Sequence, residues 1–231
     1  MGKQYFTPDV FDFLSELEAN NEKPWWEDNK QRYIDVIRDP AKEFITDFEP
    51  RLHELSPHFV ADTRTNGGSL MRPYRDVRFS KDKTPYKTNV GIQFRHEAGK
   101  DVHAPGFYIH LQPSENFAGV GMWHPETAVA RQVRQHIYDH PDQWKKATRA
   151  DAFLDTWDLE PDEDEMLKRV PKEFDPEFEY ADELRMKSFI AGGHLSREEV
   201  TSEDFDADIA QKFSSANDFT GFLAEAVGLP F

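Results

Sequence analysis

The apolar residues in the first quarter of the chain recur at the spacing of amphipathic helices. The first apolar stripe ends at Asn20, and further stripes begin at Pro24 and at Pro40. Pro50 lies inside the last stripe and predicts a kink or a break there. This region is therefore predicted to be helical, with the tryptophan pair at 25–26 buried in its core.

Apolar and polar residues alternate in the middle of the chain, which is typical of β-strands with one buried face. Three such runs are separated by short, turn-like segments, and they cover about residues 90–95, 107–112 and 117–122. These signals predict an antiparallel meander. Gly119 and Gly121 share one face of the third run and indicate close approach of another backbone or of a ligand.

Helical spacing returns after Pro125 and again after Thr201, and a late strand is predicted around Met186 to Ala191. The fold is thus predicted to be α+β. Its central, mostly antiparallel sheet would comprise about residues 69–122 plus the late strand near 186–191, flanked by N-terminal and C-terminal helices. Because no repeat and no flexible linker divides the chain, we expect a single domain over residues 1–231.

Composition excludes several classes of protein. The 231 residues include no cysteine, so disulfides, thiol nucleophiles and cysteine-ligated metals are excluded. No apolar run has the length of a membrane span, and the first residues lack a signal-peptide core, so we expect a cytoplasmic protein without a membrane partner. The net charge of −16 argues against general nucleic-acid binding.

One segment, residues 72–87, reverses this charge. It carries six basic and two acidic residues, a net +4, and leaves −20 for the rest of the chain. Arginine guanidinium groups suit carboxylate and phosphate, so the segment predicts a site for a small anionic ligand. The proposed ligand-binding residues are Arg72, Arg75, Arg78, Ser80, Lys81, Lys83, Tyr86 and Lys87.

Two structural expectations follow from this segment. Val77 and Phe79 alternate with polar residues, so the segment is expected to join the sheet with both side chains in the core. At least two of the arginines at 72, 75 and 78 are expected to converge on one cavity, with His110 or another strand residue on its wall. In the competing hypothesis these arginines form internal ion pairs with Asp76, Asp82 and other acids.

Candidates for catalysis are few. His110 is a possible general base or a structural histidine, and Asp76 would position the arginines. The sequence has no phosphate-binding glycine loop, no nucleophile elbow and no His-Glu-x-x-His motif, so we predict no metal site and identify no cofactor. The acidic stretch at 160–165 is expected to be exposed and to pair with the basic residues near Lys168 and Arg169.

Three functions remain open on these residues. The first is an anion-binding domain, which is either an enzyme on a phosphorylated or carboxylated small molecule or a binding protein. The second is an interaction module that docks an acidic partner, or a second copy of the chain, through the basic segment. The third is a nucleic-acid-associated protein with one local basic track. The residues define neither a reaction nor an oligomeric state.

Several motifs resemble those of one family. They are Asn20-Asn21-Glu22-Lys23-Pro24-Trp25-Trp26, the run from Gly68 to Lys87 with Tyr74-Arg75-Asp76-Val77-Arg78-Phe79-Ser80-Lys81-Asp82-Lys83-Thr84-Pro85-Tyr86-Lys87, and Leu167-Lys168-Arg169-Val170-Pro171-Lys172. Together they are similar to the DUF2461 family, a domain of unknown function found in bacteria and fungi. The resemblance covers nearly the whole chain and implies one full-length domain. It implies no reaction, substrate or cofactor.

Overall fold

The N-terminal helices pack as a long, nearly uninterrupted helical layer. The computed structural model describes residues 2–99, 104–159 and 163–231. The helices of this layer are α1 (Asp9–Ala19), α2 (Lys23–Tyr33), a π-helical turn (Ile34–Arg38) and α3 (Asp39–Leu55). The π-helical turn ends at Arg38, two residues before Pro40, which lies in the first turn of α3, where a missing N–H is tolerated. The helix also continues through Pro50, so the break considered at that residue is not seen.

The described strands form one antiparallel sheet, which confirms the predicted α+β class. They are β1 (Phe59–Val60), β2 (Val90–His96), β3 (Gly106–Leu111), β4 (Asn116–Met122) and β5 (Phe189–His194). Their spatial order follows the chain order, and every neighbouring pair is antiparallel. The register pairs Ile92 with Ile109 and Ile109 with Ala118, so the apolar positions of three strands share one face.

The limits of the sheet differ from the prediction at both ends. It begins at Phe59, and of the predicted segment from residue 69 onward only Ser69 to Met71 joins β2 before Val90. There Gln93 N donates to Ser69 O at 2.8 Å and Met71 N donates to Gly91 O at 2.9 Å. The late strand starts three residues later than predicted, since Ser188 uses its hydroxyl to accept a hydrogen bond from His124 N.

The remaining helices cover the apolar face of the sheet. They are α4 (Thr127–Asp139), α5 (Pro141–Arg149), α6 (Asp151–Leu154), α7 (Arg197–Val200), α8 (Phe205–Ser214) and α9 (Asn217–Ala226). Short 3-10 turns lie at Glu163–Glu165 and Glu183–Arg185.

The two faces of β3 have different surroundings. Phe107, Ile109 and Leu111 are fully buried in the core. Tyr108 and His110 point to the opposite face and are only half-buried. This second face carries polar side chains beside the segment that the sequence singled out.

Candidate functional site

Residues 72–87 form a closed loop, here called the basic loop, which leaves the edge of the sheet after Met71. Its two ends pair with each other, as Lys87 N donates to Pro73 O at 2.7 Å and Arg75 N donates to Pro85 O at 2.9 Å. This pairing divides the loop into a base (residues 72–74 and 85–87) and a tip (residues 75–84). The loop therefore folds back on itself rather than adding a strand to the sheet.

The base is fixed to the helical layer. The Tyr86 ring stacks on the buried Trp26 ring, with centroids 4.3 Å apart and an interplanar angle of 15°. Asn21 completes the attachment, because its side-chain amide donates to Tyr86 O at 2.9 Å and its carbonyl accepts from Tyr86 N at 3.1 Å. Burial of Trp26 confirms that this tryptophan belongs to the core.

The acids of the tip pair with two of the three arginines. Asp76 accepts hydrogen bonds from the Arg78 guanidinium, at 2.9 Å from Nε, and from Arg78 N. Asp82 accepts from the Arg75 guanidinium and from Thr84 N, the latter at 3.0 Å. These bonds lower the pKa of Asp76, and they lower the pKa of Asp82 to about 2, chiefly through Arg75 and then through Thr84.

The prediction that Val77 and Phe79 lie in the core was wrong. The Phe79 side chain is 95% exposed and Val77 is only half-buried. The alternation arises from side-chain turns rather than from a strand, since Asp76 and Asp82 each bind the backbone two residues further on. At the tip, the Arg78 guanidinium lies 5.8 Å from the centroid of the exposed Phe79 ring.

An open groove of about 290 Å³ runs beside the basic loop. It is lined by Glu18, Asn21, Arg75, Asp82, Thr84, Tyr86, Lys87, Thr88 and Asn89. Of the predicted ligand residues, Arg75, Tyr86 and Lys87 lie in this lining, whereas Arg72, Arg78, Ser80, Lys81 and Lys83 do not.

The three arginines do not converge on the groove. Arg75 lies in its wall but is bound to Asp82 and Thr84. The Arg78 side chain is 77% exposed and pairs with Asp76, so the ion-pair hypothesis describes both of these residues. Lys83 is also engaged within the tip, because its Nζ donates to Val77 O at 2.8 Å.

Lys87 has a different environment from the cations of the tip. It is half-buried, and its Nζ lies 3.9 Å from Met71 Sδ. Burial, and secondarily the positive charge of Arg72, lower the pKa of Lys87. Among the described residues neither Lys87 nor Arg72 forms a salt bridge with a carboxylate. Two neighbouring cations thus lack a counter-charge within the described protein.

Lys87 also lies where two cavities meet. Besides the groove, it lines a small cavity of about 10 Å³, which has room for one water molecule. Asn89 likewise lines both cavities, and the remaining wall of the small one is mostly apolar, with Trp26, Leu70 and Val90 among its members. The Lys87 ammonium therefore stands between a polar opening and an apolar interior.

A chain of hydrogen bonds lies on the polar face of β3. His110 Nε2 is 3.0 Å from Gln112 Oε1, and the Tyr108 hydroxyl is 3.1 Å from His110 Nδ1. Because Gln112 Oε1 can only accept, His110 carries its proton on Nε2 in this arrangement, and its Nδ1 accepts from Tyr108. The His110 ring also stacks on Phe117 at 4.7 Å, which fixes its orientation.

Because Gly91 has no side chain, the hydrogen-bonded residues Tyr108, His110 and Gln112 lie next to Lys87. A methyl group on Gly91 would come within 2.9 Å of both Met71 Sδ and the Tyr108 hydroxyl. The same sulfur contacts Lys87 Nζ, and Asn89 Nδ2 lies 3.5 Å from His110 Nδ1. The Tyr108–His110–Gln112 chain and the Lys87 amine are therefore neighbours across Gly91. Burial raises the pKa of Tyr108, so its hydroxyl stays protonated at neutral pH.

The sequence singled out His110 but not its neighbours in the chain. Tyr108 and Gln112 lie two residues before and after His110, so the alternation predicts that all three side chains share the polar face of β3. It does not predict which of them hydrogen-bond to each other. Asn89 and Met71 flank the basic loop, and no motif or spacing in the sequence indicates that they belong to the site. Asp76, the other catalytic candidate, lies outside the groove lining and is bound to Arg78.

The second basic group contacts the acidic stretch through Lys187. Lys187 Nζ donates to the backbone oxygen of Asp164 at 2.5 Å, and Glu165 lies 3.2 Å from His124 Nε2. Asp164 is exposed, as expected for the acidic stretch, while residues 160–162 lie outside the described residues.

Residues 2–99, 104–159 and 163–231 contain no group of three or more histidine or acidic side chains arranged to hold a metal ion. None of the helices in these ranges is both long enough and apolar enough to cross a membrane.

One known protein family matches nearly the whole length of the chain. The family described as "Conserved hypothetical protein (DUF2461)" matches residues 9–222. The chain belongs to the DUF2461 family. The match includes the helical layer, the basic loop, every strand of the sheet and most of α9, in agreement with the resemblance seen in the sequence. No curated protein and no solved structure matches the chain.

Proposed function

We propose that this DUF2461 protein binds a small phosphate- or carboxylate-bearing ligand at the base of the basic loop, where Lys87 lines the open groove, with Arg72 and Lys87 as the anion-binding residues. The observation that carries the proposal is the pair of neighbouring cations without a carboxylate partner in the described chain. Two like charges destabilise each other, and an anion between them would remove that cost.

The net negative charge of the protein also supports this site. Its net charge of −16 offers many carboxylates, and the tip of the same loop recruits two of them. Arg72 and Lys87 are left out of this pairing, and Lys87 lines a groove of about 290 Å³. Asn89 and Thr88 line the same groove and add an amide and a hydroxyl for hydrogen bonds to ligand oxygens.

Thermal unfolding with inorganic phosphate tests the proposal. At constant ionic strength, phosphate is expected to raise the melting temperature in a saturable way, as a ligand of the folded state does. Arg72→Gln and Lys87→Gln should each abolish the increase, because each removes one of the two anion-binding charges.

Arg78→Gln is the matched control, since Arg78 lies in the tip of the same loop and is paired with Asp76. It should leave the phosphate effect intact. The proposal fails if Arg78→Gln reduces the effect as much as Arg72→Gln does, or if sodium chloride alone reproduces it.

A second candidate function is supported by the tip. Phe79 is 95% exposed and lies beside the Arg78 guanidinium, so the tip presents an apolar ring within a basic surface. Such a surface suits an acidic protein, and the chain itself, at −16, is the first partner to examine. Sedimentation velocity at low salt should show a dimer that Phe79→Ser and Lys81→Glu both remove. A monomer at every concentration would contradict this function.

A further inference from the structure

Lys87 differs from every other described lysine in how its amine is used. The other half-buried lysines are Lys42, Lys187 and Lys212, and each donates to an oxygen atom: Thr65 Oγ1, Asp164 O and His194 O, respectively. The polar contact of Lys87 is with a sulfur atom, Met71 Sδ, at 3.9 Å. A half-buried amine that is bound to no oxygen in the described protein has its nitrogen available for chemistry.

We propose that Lys87 is a nucleophilic amine that forms an imine with the carbonyl carbon of a small anionic aldehyde or ketone, such as a 2-oxo acid or a phosphorylated aldehyde. This inference rests on the proposed function, because the anionic group of the substrate would be held by Arg72. It adds a covalent step and names a chemical class of substrate for the same groove.

The surroundings of Lys87 favour the neutral amine that such a step needs. The apolar wall of the small cavity and the adjacent Arg72 both disfavour the ammonium form, and they lower the pKa of Lys87. Burial beside a second cation is one of the ways in which lysine becomes a nucleophile near neutral pH. The other charged groups of the groove are Glu18 and the Arg75–Asp82 pair, which is satisfied internally.

Imine formation also needs protons to move, and the polar face of β3 supplies a route. The nitrogen lone pair adds to the carbonyl carbon and forms the C–N bond. The two amine protons and the carbonyl oxygen then leave as one water molecule, with no change of oxidation state. Tyr108 gives its proton to the departing oxygen and takes one back from the nitrogen, because its hydroxyl stays protonated and lies across Gly91 from Lys87.

His110 keeps Tyr108 ready for this transfer. Its Nδ1 accepts from the Tyr108 hydroxyl at 3.1 Å, and Gln112 holds the proton on Nε2. His110 thus acts through Tyr108 as a positioning residue that orients the hydroxyl. The glycine at position 91 is what allows the tyrosine hydroxyl to approach the lysine side of the sheet.

Reductive trapping of the full chain tests the inference. The protein is incubated at pH 7 with pyruvate, a 2-oxo acid, and sodium cyanoborohydride, and the modified lysines are located and quantified by peptide mass spectrometry. Lys87 should be modified about tenfold faster than the exposed Lys81, because Arg72 positions the substrate and the lowered pKa of Lys87 leaves more of its amine neutral. Labelling of both lysines at equal rates would overturn the inference.

Two variants test the covalent step. Lys87→Arg keeps the positive charge but lacks the nucleophilic amine, so it should lose the trapped adduct. Tyr108→Phe should keep the phosphate effect but slow trapping at Lys87, with Lys81 unchanged as the internal reference. A Tyr108→Phe rate equal to that of the native chain would remove Tyr108 from the mechanism.

The outcomes distinguish the two proposals. If phosphate binds as proposed and pyruvate does not select Lys87, the imine inference fails and the anion site stands. If phosphate does not bind, the proposed function fails, and selective trapping by neutral acetone as well as by pyruvate would show a reactive lysine without an anion site. If neither phosphate binding nor selective trapping is observed, both proposals fail.

Discussion

The tip and the base of the basic loop both contain arginine and lysine, but the two regions use these cations differently. In the tip, Arg75 and Arg78 are bound by Asp82 and Asp76, and the loop charges stabilise the loop itself. In the base, Arg72 and Lys87 lie close together without a carboxylate partner in the described chain. A count of charges along the segment cannot separate these two regions. The comparison shows that a cation indicates a ligand only when the fold leaves it without a partner.

The two regions also differ in how they are attached to the molecule. The base is fixed by the Trp26–Tyr86 stack and by two hydrogen bonds from Asn21, so its cations are held against the core. The tip projects into solvent, and its apolar residue Phe79 is almost fully exposed. Binding groups held by a rigid base need less ordering when a ligand arrives, whereas the tip is suited to surface contacts.

The largest expected difference between the regions is in stability. Trp26→Ala should lower the free energy of unfolding by about 3–5 kcal/mol, since it removes a buried ring beneath the base. Phe79→Ala should change it by less than about 0.5 kcal/mol, because the ring makes no core contact. Urea denaturation of both variants measures the difference. A large loss of stability in Phe79→Ala would mean that the tip packs against the protein.

A smaller effect is expected at the glycine that joins the base to β3. Gly91→Ala should cost about 1–3 kcal/mol in the free energy of unfolding, because the new methyl group would overlap Met71 Sδ and the Tyr108 hydroxyl. The matched control is Gly192→Ala on β5, where a methyl group meets no atom within 4 Å.

Urea denaturation compares the two glycine variants, and Gly192→Ala should stay within about 0.5 kcal/mol of the native chain. Equal stability of the two variants would show that the approach of Tyr108 to Met71 is not tight. Gly91→Ala should in addition slow trapping at Lys87, because it displaces the Tyr108 hydroxyl from the amine.

The smallest effect concerns the pH response of the tip. The pKa of Asp82, about 2, lies below the ordinary aspartate value of about 3.9. A carboxyl whose pKa is depressed in the folded state contributes stability above its unfolded pKa. That contribution is lost as the pH falls through about 2. Because Asp82 is exposed, the gain in stability is screened by solvent and small.

Carboxyl NMR titration of Asp82 checks this prediction. Arg75→Gln should raise the midpoint toward the ordinary value, since Arg75 is the main cause of the shift, while the Thr84 hydrogen bonds keep part of it. Arg72→Gln, in the base, should leave the Asp82 midpoint unchanged. An equal response to both substitutions would mean that the tip and the base form one electrostatic unit.

Local patterns in the sequence determined much of this protein. Alternation located β2, β3 and β4 to within two residues at either end, and helical spacing located the N-terminal and C-terminal helices. These predictions succeeded because burial of one face imposes a period on the residues of each element. The charge reversal at 72–87 and the family motifs were equally visible in the sequence.

Only the tertiary structure decided which side chains of the candidate site act together. Arg75 pairs with Asp82 seven residues away, and β2 places Gly91 opposite His110 across the sheet. Lys87 looked like one cation among six until the folded chain set it against Met71 and Arg72. Spacing along a chain fixes the direction of side chains within an element, but loop closure and strand register determine which charges meet, and that pairing separates Lys87 from the arginines of the tip.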